Sequence, residues 1–149
     1  MRVLLDANVY VSALLTANRP TGVIATVIQS GILGTFALVL PDDDVAELRR
    51  VTGAKPHLRR KLPPPVVAAF VETIRSVAEP APALDETPPR VCRDPNDDFL
   101  VAQALRLSID VLVSGDPDLL ALEGTGLPCR VLNPRDFLEL LEAEAAQQG

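Results

Sequence analysis

Apolar residues along this chain change repeatedly between two spacings. Val3, Leu4 and Leu5 form an unbroken apolar run that ends in an acid, predicting a strand covered on both faces from Val3 to Asp6. A helical stretch follows from about Asn8 to Leu15 and breaks at Asn18-Arg19-Pro20. Helical spacing resumes with Val23, Ile24, Val27 and Ile28, stops near Gly31, and gives way to a second apolar strand from Thr35 to Leu40. Pro41 and the acids after it read as a helix start, with Asp42 or Asp43 as the cap and the rest favouring the positive end of the helix dipole. Val45, Leu48 and Val51 face the core from that helix, while Glu47 lies off their line. A basic stretch, helical in part, leads to a further helix from Pro64 to about Ser76.

Prolines then crowd Glu79 to Pro95, which reads as an extended connector. Beyond it the pattern predicts a helix over Asp97 to Leu107, with Asp97 or Asp94 at its amino end, and a buried strand over Val111 to Val113 that runs into Ser114-Gly115-Asp116. A last strand is expected over Cys129 to Leu132, and a closing helix from Asn133-Pro134 through roughly Glu144. Alternating strands and helices predict an α/β fold of three layers, α/β/α, around a central, mainly parallel sheet of four to five strands. One domain is expected over 1–149, with a core at about 2–141 and a short tail at 142–149.

Composition narrows the classes. A hydrophobic content of 48% over 149 residues supplies a core and excludes disorder, yet no apolar run approaches the ~18 residues of a membrane span. Asp6 interrupts any signal-peptide core, so a cytoplasmic protein without membrane contact is expected. Cys92 and Cys129 lack zinc-ligand spacing and are expected as reduced thiols. The net charge of −6 argues against a general nucleic-acid coat protein. Against that background Arg49, Arg50, Lys55, Arg59, Arg60 and Lys61 gather with no acid among them, around the only histidine, His57. Such a run is either a solvated helix face or a contact for phosphates.

Four acids stand where a parallel sheet brings strand ends and helix starts to one edge: Asp6, Glu47, Asp97 and Asp116. Each alone can be a helix cap or a surface charge. Together, without paired cations, they would repel strongly, and one or two hard divalent ions would neutralise them. Oxygen donors suit Mg²⁺ or Mn²⁺, and the scarcity of histidine and cysteine counts against zinc. Asp118 reads equally as a cap, a second ligand or a solvent-facing acid, and at least one of Asp94, Asp97 and Asp98 is expected to be a helix cap or a surface charge.

The segments LLDANVYVSALL, VAELRRV, DPNDDFLVAQAL and VLVSGDPDLL resemble, in order and spacing, the acidic signatures of the PIN-domain ribonucleases. The resemblance runs from Arg2 to about Leu141 and includes the LNPRDFLELL ending of a VapC-like group of toxin components of toxin–antitoxin pairs. By position, Asp6, Glu47, Asp97 and Asp116 match the family's catalytic quartet, Asn8 and Ser114 its supporting polar positions, and Asp118 a less constant acid. Asp98 departs from the usual apolar or variable residue; alignment of FLVAQAL favours Asp97 over Asp98 as ligand, with Asp94 and Asp98 auxiliary.

The resemblance implies a metal-dependent endoribonuclease with Asp6, Asp97 and Asp116 holding metal, and Glu47 completing the shell or orienting the attacking water. Its products would be a 5′-phosphate and a 3′-hydroxyl. Arg49, Arg50, Arg59, Arg60 and Lys61 would then hold RNA, and an antitoxin protein and a second copy of the chain are expected partners. Two other classes remain. A phosphatase or phosphotransfer domain would use Asp6 as nucleophile, but Asn8 stands where the common pattern wants a second acid, and no lysine follows Lys61. A non-catalytic RNA- or protein-binding module of the same fold would keep the acids only as structure.

Overall fold

A computed structural model describes residues 1–148 of the chain. Its elements are β1 (Arg2–Leu5), α1 (Ala7–Leu15), α2 (Val23–Ile32), β2 (Ala37–Pro41), α3 (Asp42–Ala54), α4 (Pro56–Lys61), α5 (Pro64–Arg75), β3 (Glu79–Ala81), α6 (Pro95–Arg106), β4 (Val111–Val113), α7 (Pro117–Leu120), β5 (Arg130–Leu132) and α8 (Pro134–Gln148). The strands form one all-parallel sheet in the order β3-β2-β1-β4-β5. Val3 pairs with Leu38 on one side and Val111 on the other, so β1 is the central strand. Both faces of a central parallel strand are covered, which is why it reads as continuous apolar sequence.

Successive residues of β1 serve opposite layers. Val3 and Leu5 join a core with Tyr10, Val27, Phe36 and Phe137, whereas Leu4 joins a second core with Val39, Val101, Leu112 and Leu119. Each fully buried leucine or valine contributes about 1.5–3 kcal/mol of transfer free energy. Phe36 and Phe137 meet edge to face at 5.1 Å. Gly31 lets α2 approach that pair, because a Cβ there would stand 3.0 Å from the Phe36 ring.

The winding carries the chain from β1 through β2 to β3 in one direction and from β4 to β5 in the other. The reversal falls between β1 and β4, where the segments leaving the two strands diverge and open a crevice at their carboxyl ends.

Several boundaries depart from sequence expectation. The connector beginning at Glu79 opens with an edge strand, whose Pro80 has no N–H to contribute and is tolerated only at such an edge. Pro41, not Asp42 or Asp43, precedes the first turn of α3, so all three acids lie inside that turn. Asp94, not Asp97, caps α6. The short α7 follows Asp116, and the tail expected at 142–149 continues α8 through Gln148; Gly149 lies outside the described residues. Cys92 and Cys129 are free thiols. No described helix is long and apolar enough to cross a membrane.

Candidate active site

The crevice beyond β1 and β4 holds a cleft of about 260 Å³. Asp6, Glu47, Asp97 and Asp116 all line it, and so do Asn8 and Asp94.

Asp6 is set by backbone and side chain together. Its N–H donates to the Val113 carbonyl (2.9 Å), which extends the β1–β4 ladder by one bond. Its Oδ1 caps α1 by accepting from the Asn8 N–H (3.3 Å), and its Oδ2 accepts from the Ser114 hydroxyl (2.7 Å). Asn8 therefore supports Asp6 through its backbone, while its side chain stays exposed. Ser114, fully buried, also accepts the Asp116 N–H on the same oxygen (3.0 Å). One hydroxyl thus ties the two acids that end adjacent strands. Asp116 in turn caps α7 through the Asp118 N–H (2.9 Å). These two acids cap helices and line the cleft at once, so a capping role does not exclude a site role.

Asp97 is 6% exposed in the first turn of α6, beyond the Asp94 cap, and its Oδ2 is buried with no hydrogen-bond partner. Burial, followed by the facing carboxyl of Asp116, raises its pKa to about 7, because a proton held between two carboxyls is favoured over two adjacent charges. Burial also raises Asp6, and the Ser114 and Asn8 hydrogen bonds oppose that shift.

Asp98 lies on the other side of α6. It accepts from the Val91 and Cys92 N–H groups (2.9 and 2.7 Å) and pairs with Arg90 at 2.9 Å, so it anchors the connector and stands outside the cleft. These partners hold its pKa below the usual carboxylate range. The structure thus does not bring Asp98 to the cleft beside the other acids. Asp118 is likewise outside the cleft lining and faces Arg93 at 3.3 Å.

The first turn of α3 brings in residues whose sequence pattern marks them only as helix-start acids. Asp43 accepts from the Leu84 N–H (3.1 Å) and the Gln103 amide (2.9 Å), fastening the connector to the cleft wall. Asp44 is 5% exposed, lines the cleft, and has a buried Oδ2 without a partner. Burial, then the charges of Asp6 and Glu47, push its pKa well up. The signal was the length of the acidic run: three acids at one helix start exceed what the dipole needs.

The basic residues divide. Arg50 lines the cleft and grips Glu47 with two hydrogen bonds, Nε to Oε2 at 3.0 Å and NH2 to Oε1 at 2.6 Å. Arg49 and Arg59 line a separate cavity of about 310 Å³ with Thr52, Leu62 and Val67. Arg60 and Lys61 are exposed on α4.

Among the described residues, no three histidine, cysteine, aspartate or glutamate side chains already stand grouped to hold a cation. The chemistry of the lining nevertheless fits a hard divalent ion. Its donors are oxygens, and the unpartnered buried Oδ2 of Asp97 lacks any protein donor.

A family profile described as the PIN domain matches residues 2–118. No curated protein matches the sequence significantly. Two solved structures are similar in fold. The crystal structure of VapBC2 from Rickettsia felis, bound to a DNA fragment from their promoter, aligns at TM-score 0.58 and 12% identity, over 89% of this chain and 98% of that one. FitAB bound to the IR36 DNA fragment aligns at TM-score 0.55 and 17% identity, over 89% and 94%.

Proposed function

This chain belongs to the PIN domain family, a family of nucleases, and on that premise we propose that it is a metal-dependent endoribonuclease acting as the toxin of a toxin–antitoxin pair. The observation that carries the reading is the Ser114 link between Asp6 and Asp116, which sets two carboxyls from adjacent strands in one cleft beside the unpartnered carboxyl of Asp97. Asp6, Asp97 and Asp116 would hold Mg²⁺ or Mn²⁺, which when bound supplies charge neutralisation at the scissile phosphate and a more acidic water.

The protein's own groups do the rest. Ser114 holds the Asp6 carboxyl through Oδ2, which restricts how far this ligand must turn on binding. Glu47 orients the attacking water and takes its proton on a carboxylate oxygen. The water oxygen bonds to phosphorus, the P–O3′ bond breaks, and the departing 3′ oxygen takes a proton from solvent, leaving a 5′-phosphate and a 3′-hydroxyl. Arg49, Arg59, Arg60 and Lys61, on α3 and α4 beyond the cleft, would hold the RNA backbone. Reversing the charges of Arg59 and Arg60 should lower RNA affinity and reduce the slope of its salt dependence by about one per lost phosphate contact.

The partners follow from the same premise. The VapBC2 and FitAB assemblies, similar in fold, support a cognate antitoxin and a dimer-type assembly for this chain. The deciding experiment is cleavage of generic single-stranded RNA by purified protein with Mg²⁺ or Mn²⁺, beside Asp6→Asn and Asp116→Asn. Metal-dependent cleavage lost in both variants supports the proposal. Folded wild type without activity, or active variants, would overturn it, and turnover of small phosphate esters instead would point to a phosphatase.

A further inference from the structure

Arg50 is the one cation lining the cleft among the described residues, where it faces seven carboxylates. It does not sit loosely among them. Its Nε and NH2 each take one oxygen of Glu47, one turn earlier on α3. Glu47 thus has both oxygens engaged by a planar cationic fork, and a water proton or a metal ion must compete with that fork for it. The pair is open to solvent on the arginine side, with side-chain exposure of 59% for Arg50 and 22% for Glu47. Ion pairs so exposed contribute little to stability, so the grip is cheap to release. A phosphate offers the guanidinium the same two-oxygen geometry with equal or greater charge.

We propose that Arg50 is a substrate-exchanged clamp: it holds Glu47 in the free protein and transfers to an RNA phosphate on binding, releasing Glu47 to act on the water or the metal. The proposal rests on the nuclease reading above and adds to it the order of events. Substrate arrival would complete the site, so the free protein would carry an incompletely armed cleft. The exchange leaves the surrounding charge in balance only if the bared Glu47 carboxylate is met by a cation or a proton, which is the role the proposed metal or the attacking water would fill.

Two measurements that need no turnover decide it. Isothermal titration of metal-free protein with Mn²⁺ alone should show tighter binding in Arg50→Ala than in wild type, by about fivefold or more, since a freed carboxylate joins the donors. Arg50→Lys, which keeps the charge but not the fork, should gain less. In an Arg50→Ala/Glu47→Gln double variant the gain over the Glu47→Gln single variant should vanish. An equal gain in the Glu47→Gln background would mean that only a repelling charge was removed, and would overturn the clamp. Fluorescence anisotropy with a single-stranded RNA oligonucleotide in EDTA should show about tenfold weaker binding for Arg50→Ala, the scale of one charged hydrogen-bonded contact. Arg135→Ala, exposed at the start of α8, serves as the control. Unchanged RNA affinity in Arg50→Ala would also overturn the proposal. If wild type binds Mn²⁺ and RNA as expected but cleaves nothing, the nuclease reading fails while the clamp stands on its own readouts.

Discussion

The two ends of β1 treat charge in opposite ways. At its amino end Arg2 is wholly engaged: its N–H donates to Asp110 (2.7 Å), its guanidinium donates to the Leu107 carbonyl (2.9 and 3.2 Å) and pairs with Glu79. These contacts tie β1 to the segment entering β4 and to the first residue of the edge strand β3. At the carboxyl end, four residues on, Asp6 belongs to a set of acids with few cations to answer them. Burial raises Asp6, Asp44 and Asp97 alike, and Asp44 and Asp97 each keep a buried oxygen without a partner. Charge that is matched inside the protein holds the fold together. Charge left unmatched costs stability, and that is the cost the proposed metal would offset.

The largest expected effect tests that division directly. Asp116→Asn should lower RNA cleavage by about a thousandfold, the scale of losing a group that stabilises a developing charge, while leaving or raising Tm because a carboxyl repulsion is gone. Parallel activity assays and thermal melts would break the comparison if Tm instead fell steeply. Next comes pH. In the folded protein Asp97 keeps its proton up to about pH 7, whereas the unfolded chain releases it near 3.8. The native state therefore binds the extra proton between those values, so stability of metal-free protein should fall as pH rises through that window and level off above it. Thermal melts from pH 4 to 8 should show this fall, and Asp97→Asn should flatten it; a rise with pH in wild type would contradict the assignment.

Asp98→Ala sharpens the same contrast on one helix. Removing the acceptor of two backbone N–H groups should lower Tm by about 5 °C, with Mn²⁺ affinity near that of wild type, whereas Asp97→Asn should do the reverse. Smallest of all, Glu79→Ala should shift Tm by less than about 2 °C, because its pair with Arg2 is solvent-exposed and Arg2 keeps its other contacts.

Much of this architecture was legible in the sequence. Apolar runs buried on both faces announced β1, β2 and β4, and the acids at their ends announced where to look. What escaped had physical reasons. β3 is three residues long and carries Pro80, so neither alternation nor β propensity marks it. A four-residue α7 is too short to show a helical period. Asp97 and Asp98 are neighbours in sequence and differ only because one faces the cleft while the connector folds back onto the other, a choice made by tertiary packing. Asp44 and the Glu47–Arg50 grip are likewise set by which face of α3 meets the sheet edge. The sequence supplied the i, i+3 spacing of that pair but not its place in the cleft.

The sheet order also dictates when the site can exist. Asp6 is synthesised well before Ser114, which fixes it, and Asp116, its counterpart across the switch point, both of which come more than a hundred residues later. Until Val111–Val113 leave the ribosome and pair with β1, one side of the central strand stays open and the cleft has only half its walls. For a chain proposed to cut RNA, the cleft is complete only once β4, translated long after β1, has joined the central strand.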